Sequence, residues 1–102
     1  GWTMSAVEIE DAILKHADVR EAAAIGVPDE LRGQIVKAFV VSARDGDEAF
    51  VREIQDLVRR RLSQHEYPRA VTFVAELPKT PAGKVNRKAL REREQAVSTR
   101  AA

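Results

Sequence analysis

Residues 35–43 read IVKAFVVSA, and this run decides the fold. Its β-branched and aromatic side chains fall on both alternating faces, broken only by Lys37, which is the pattern of a central strand covered on both sides. Working outward, residues 19–27, VREAAAIGV, make a second apolar run closed by the turn formers Pro28 and Asp29. It reads as a strand, although Ala22, Ala23 and Ala24 are poor strand formers. The polar link DELRGQ between the two runs reads as a loop.

Beyond the central run, RDGD (44–47) marks a tight turn in which Asp47 is placed to cap a helix. From Glu48 to about Gln64, Phe50, Ile54, Leu57, Val58 and Leu62 recur at helical spacing. Arg52, Arg59, Arg60 and Arg61 occupy the remaining surface, as charged residues usually do. Tyr67 and Pro68 end this region, and Val71, Phe73 and Ala75 alternate with Thr72 and Val74 as a short third strand. Upstream, Ser5 and Glu8 have capping-box spacing, with Met4 and Ile9 as the flanking staple. Ala6, Ile9, Ile13 and Ala17, widened by Val7 and Leu14, predict a helix with one buried face. Glu10, Asp11 and Lys15 are assigned to its polar face and His16 to a C-terminal cap. Asn86 is a candidate cap for a last helix through Leu90 to about Glu94. Residues 95–102 lack periodicity and read as a disordered tail, leaving 1–94 as the domain. The order helix, strand, strand, helix, strand, loop, helix specifies an α+β fold, a small domain with a three-stranded core sheet packed by helices.

A chain of 102 residues holds one such domain and one modest core. With 44% hydrophobic and 32% charged residues it has the composition of a folded soluble domain, and a formal net charge of +1 gives no general pull toward nucleic acid. The absence of cysteine removes disulfides and thiolate chemistry. His16 and His65 are far apart in sequence and suggest no metal site. The longest apolar stretch is far short of the ~20 residues a membrane-spanning helix needs. The first residues lack a signal peptide's pattern and do not begin with methionine, so the chain reads as a piece of a longer, cytoplasmic protein.

The chemistry concentrates in residues 77–90, LPKTPAGKVNRKAL. Pro78 and Pro81 stiffen the approach, Gly83 permits a tight turn, and Lys84 is presented at its tip. Lys79, Lys84, Arg87, Lys88 and Arg91 together form an anion-facing patch. The segment is no nucleotide-hydrolysing phosphate loop, because the earlier glycine and the following hydroxyl are missing. A presented lysine of this kind can stabilise charge growing on a carboxylate or phosphate oxygen, in a pocket completed by another domain.

The ordered set G-x-x-x-S-x-x-E-I-E, V-P-D-E-x-R-G, K-A-F-V-V, Y-P-R and L-P-K-T-x-x-G-K-x-x-R resembles the C-terminal domain of the adenylate-forming acyl-CoA synthetases, most closely the medium-chain or aromatic acyl-CoA ligase branch. The resemblance covers Gly1 to about Leu90. It implies a mobile lid over a large N-terminal domain that binds ATP, with its Mg2+, and a carboxylic acid. Such enzymes form an acyl-adenylate, then rotate the small domain and use its opposite face to guide the CoA thiol. Lys84 matches the residue that contacts the carboxylate and α-phosphate in the first step. Gly1 and Trp2 match the stretch lining the pantetheine tunnel, and Arg59 matches a position that reaches the CoA nucleotide phosphate. Arg69 and Arg87 are further candidates for phosphate contact or for gripping the large domain.

Two departures from the family pattern stand out. Thr3 replaces an arginine found near the phosphates in some relatives, and His65-Glu66 replaces a frequent Tyr-Lys pair. The resemblance implies a fragment that folds without catalysing, since the large domain lies outside the chain. The rival readings are an adenylation enzyme that loads a carrier protein and a phosphate- or nucleic-acid-binding module built on the Lys84 patch. The latter is disfavoured by the scarcity of aromatics for base stacking.

Overall fold

Two long antiparallel strands organise the computed structural model, which describes residues 6–29, 31, 33–62 and 67–101. Strand β1 (Val19–Asp29) pairs with β2 (Gly33–Ser42) in continuous register from Glu21 opposite Val41 to Asp29 opposite Gly33. Strand β3 (Ala70–Phe73) runs parallel to β2, from Lys37 beside Ala70 to Val40 beside Phe73. The sheet order is β1-β2-β3, so the expected central strand is central. β1 extends two residues beyond Val27, through Pro28. It can do so because β1 is an edge strand. The Ala24 N–H points away from β2, and by alternation position 28 faces the same free edge, where a missing N–H costs no ladder bond.

Helices α1 (Ala6–Ile13), α2 (Glu48–Arg61) and α3 (Arg87–Ala101) complete the domain. Alternation along the strands sorts the core into two layers. Ala22, Ala24, Val36, Ala38 and Val40 face Ile9, Ala12 and Ile13 of α1 and Phe50, Ile54 and Val58 of α2. Ala23, Ile25 and Phe39 face Leu77 and Leu90, with Val74 and Val85 at the margin. The alanines that weaken β1 as a strand leave room for a helix on either side of it.

N-terminal capping follows the sequence at the two predicted N-cap sites among the described residues. The Asp47 side chain accepts from the Phe50 N–H at 2.8 Å, and Asn86 Oδ1 accepts from the Ala89 N–H at 3.0 Å. The proposed Ser5 capping box, the Met4 staple and the extension of α2 to Gln64 involve residues outside the described ones. α3 runs to Ala101, past Glu94 where periodicity stops. Its composition is rich in helix formers, and helical backbone bonds need no apolar face.

Three expectations for α1 are corrected. Val7 and Leu14 are half exposed and Ala17 is exposed. At 100° per residue Val7 and Leu14 fall roughly 165° and roughly 145° from the centre of the Ile9–Ala12–Ile13 stripe. Glu10 is not on the solvent face but buried, at 7% exposure. His16 does not cap α1 with its side chain. Its Nδ1 accepts from the Asp18 N–H at 3.1 Å, so Nε2 carries the proton and donates to Glu53 Oε1 at 2.8 Å.

Candidate functional site

The Lys84 segment is a self-bonded hairpin. Lys79 and Val85 pair as an antiparallel bridge, and the Thr80 N–H donates to the Lys84 carbonyl at 2.7 Å. Within the turn, the Gly83 N–H donates to the Thr80 carbonyl at 2.9 Å, and Thr80 Oγ1 accepts from the Lys84 N–H at 3.3 Å. Gly83 has φ +84° and nothing near its missing Cβ, so glycine is required by backbone conformation rather than by space. Below the turn, the Asn86 N–H donates to the Pro78 carbonyl at 2.8 Å. Leu77, at 4% exposure, anchors the entry in the second core layer.

Charge pairing is selective along this segment. Lys79 Nζ meets Glu21 Oε1 at 2.5 Å. Arg87 donates from Nε to Glu10 Oε2 at 2.9 Å and from Nη2 to Glu10 Oε1. Lys84 is exposed, and among the described residues its ammonium meets no carboxylate. The hairpin thus neutralises the cations at its base and leaves a positive charge at its tip. Arg87, a candidate phosphate ligand on sequence grounds, has its guanidinium engaged by Glu10 here.

Arg59 and Arg69 come together elsewhere, around Tyr67. The Arg59 guanidinium lies 3.9 Å from the Tyr67 ring centroid and donates to Asp56 Oδ1 at 3.1 Å. Arg69 Nη1 donates to the Tyr67 hydroxyl at 2.8 Å. These side chains border an open groove with Lys15 and Arg60. At its rim His16 and Arg44 both donate to Glu53, with Arg44 Nη2 to Oε2 at 2.7 Å. The Arg44 bond, followed by that of His16, holds the Glu53 carboxyl below its ordinary value, and Glu53 in turn raises Arg44.

The two sites lie on opposite layers. The hairpin packs through Leu77 and Val85 on one face of the sheet, while Arg59 projects from a helix whose Ile54 and Val58 are packed on the other. Residues 8–84 match the family described as AMP-binding enzyme C-terminal domain. The chain belongs to that family.

Relatives of this AMP-binding C-terminal domain include acyl-CoA synthetases and ligases. It is 44% identical over 98 residues to the human mitochondrial acyl-coenzyme A synthetase ACSM5, covering 91% of the chain and 17% of that protein. The crystal structure of a Brucella canis acyl-CoA synthetase superposes with a TM-score of 0.90 at 46% identity, over 96% of this chain and 18% of that one. An anthranilate CoA ligase in complex with anthranoyl-AMP gives 0.86 at 35% identity, over 94% and 18%. The chain therefore spans less than a fifth of the length of these relatives.

Of the residues singled out in the sequence, Gly1 and Trp2, along with Thr3, His65 and Glu66, lie outside the described ones. Tyr67 and Glu10 were missed as site residues. As the chain's single tyrosine, set beside Pro68 and Arg69, Tyr67 offered a signal. Glu10 offered none, because its partners are 14 and 77 residues away. Among the described residues no cluster of three or more His, Cys, Asp or Glu could hold a metal, and no helix is long and apolar enough to cross a membrane.

Proposed function

We propose that this chain is the mobile C-terminal domain of an ATP-dependent acyl-CoA ligase, converting a carboxylic acid, ATP and CoA to acyl-CoA, AMP and pyrophosphate. The observation that supports it is the placement of Lys84, which meets no carboxylate among the described residues, and an Arg59–Tyr67–Arg69 cluster on opposite layers of one small domain. Such a domain serves two half-reactions by turning first one face and then the other to the large N-terminal domain. That domain holds the acid, ATP and its Mg2+.

In the first half-reaction the substrate carboxylate attacks the α-phosphorus and pyrophosphate leaves. Lys84 orients the two anions and offsets the charge that builds on the phosphate oxygens, without acting as a nucleophile. In the second, the CoA thiol attacks the acyl carbon and AMP leaves. Arg59 receives the nucleotide phosphate of CoA, with Tyr67 and Arg69 holding its guanidinium plane, while Gly1 and Trp2 line the path of the pantetheine arm. Arg87 serves the site indirectly, held by Glu10 at the foot of the hairpin. Alone, the chain is inactive, because the acid and ATP sites belong to the large domain.

The test uses the full-length enzyme. Lys84→Ala is expected to slow adenylate formation about 100- to 1000-fold while leaving thioester formation from supplied acyl-adenylate near normal. Equal losses in both half-reactions would overturn the assignment. Transfer to a carrier protein's phosphopantetheine but not to free CoA would make the enzyme a carrier-loading one.

A further inference from the structure

We propose that Glu10 is a positioning residue for Lys84, acting across the edge of the sheet through Arg87. This rests on the role given to Lys84 above. Glu10 is the only buried charged side chain among the described residues. Desolvating a carboxylate is costly, and a buried ion pair seldom stabilises a fold better than apolar packing would. Its directional bonds therefore point to placement rather than stability. Oε2 accepts from the Ala24 N–H at 2.8 Å, on the free edge of β1, and from Arg87 Nε at 2.9 Å, while Oε1 accepts from Arg87 Nη2. One carboxylate thus joins α1, which packs on the Arg59 layer, to the first residue of α3 on the Lys84 layer.

Arg87 stands three residues after Lys84 and directly follows Asn86, whose N–H is tied to the Pro78 carbonyl. Fixing Arg87 fixes the exit of the hairpin, and Glu21 fixes its entry through Lys79. Both holds come from α1 or β1, so the lysine tip is referenced to that side of the domain. An electrostatic catalyst is sensitive to such referencing, since a displacement of about 1 Å can cost on the order of 100-fold in rate.

The experiment measures both half-reactions in the full-length enzyme for Glu10→Gln and Arg87→Lys, each alone and combined with Lys84→Ala. Alone, each is expected to lower the kcat of adenylate formation about 10- to 100-fold, with KM for ATP and acid little changed and thioester formation retained. Combined with Lys84→Ala, each should add less than about a twofold loss, because its effect passes through the lysine. The same fold loss in both backgrounds, or an unchanged kcat in the single variants, would overturn the proposal. Arg87→Lys keeps the charge and loses the fork, so it carries the test alone if Glu10→Gln does not accumulate as folded protein. Normal adenylation in Lys84→Ala itself would instead overturn the role of Lys84, a distinct result.

Discussion

The two faces of the sheet are held by different balances of apolar burial and ion pairing. On the α1–α2 side twelve described residues form a continuous apolar cluster, with Phe50, Ile54 and Val58 fully buried. On the hairpin–α3 side the cluster has five, and ion pairs do part of the holding: Glu10 with Arg87, Glu21 with Lys79, and Lys37 with Glu94 at 2.6 Å. Apolar burial is strong but indifferent to direction, whereas a charged hydrogen bond adds little stability and fixes an orientation. One face therefore supplies stability and the other supplies position.

Core truncation should separate the two most sharply. Phe50→Ala is expected to cost about 3–5 kcal/mol in denaturant unfolding of the chain, and Leu90→Ala about 2 kcal/mol, from the smaller and more open layer. Equal costs would break the comparison. A loss smaller than that of Phe50→Ala is expected at the rim of the same face, where a Cβ on Gly46 would sit 2.1 Å from Cδ2 of Phe73. That ring packs on Phe50 with centroids 5.0 Å apart, so it cannot swing freely inward. Gly46→Ala should destabilise by about 1–3 kcal/mol, and pairing it with Phe73→Leu should restore part of the loss. No recovery would mean that the strain lies in the backbone.

Helix caps sharpen the distinction between stability and position. Asp47→Ala and Asn86→Ala should each cost about 1 kcal/mol, yet only Asn86→Ala, at the foot of the hairpin, should also slow adenylate formation in the full-length enzyme. The weakest effect belongs to the exposed Glu53. Its folded pKa is depressed below the ordinary 4.5 by Arg44 and then His16. Its contribution is thus complete above pH 4.5 and is lost as pH falls through the lower folded value. The stability gap between the wild type and Glu53→Gln should narrow as pH falls below 4.5.

The central strand, both described caps and the exposed lysine were legible because each is written in neighbouring residues. Residues 35–43 carry their own two-sided pattern, and Asp47 and Asn86 reach only three residues ahead. Glu10 was misplaced because helical spacing places it beside the apolar stripe, where only the distant Arg87 and the Ala24 N–H decide whether a carboxylate is buried. The Tyr67 cluster and the Lys79–Glu21 pair at the hairpin's entry escaped for the same reason. They depend on where turns bring the chain back, which composition does not record.

The Lys79–Val85 bridge has a consequence for motion. The ribbon satisfies the amides of Thr80, Gly83, Lys84 and Asn86 from within itself and borrows none of these bonds from the sheet. In a reaction that swings the whole domain, the lysine would travel as rigid cargo and arrive already shaped. Hydrogen exchange gives the reading: protection of those four amides should be the same in the adenylating and thioester-forming states of the full-length enzyme, while amides along the boundary with the large domain change. Selective deprotection of the ribbon in one state would show that the tip is remade at each turn rather than carried.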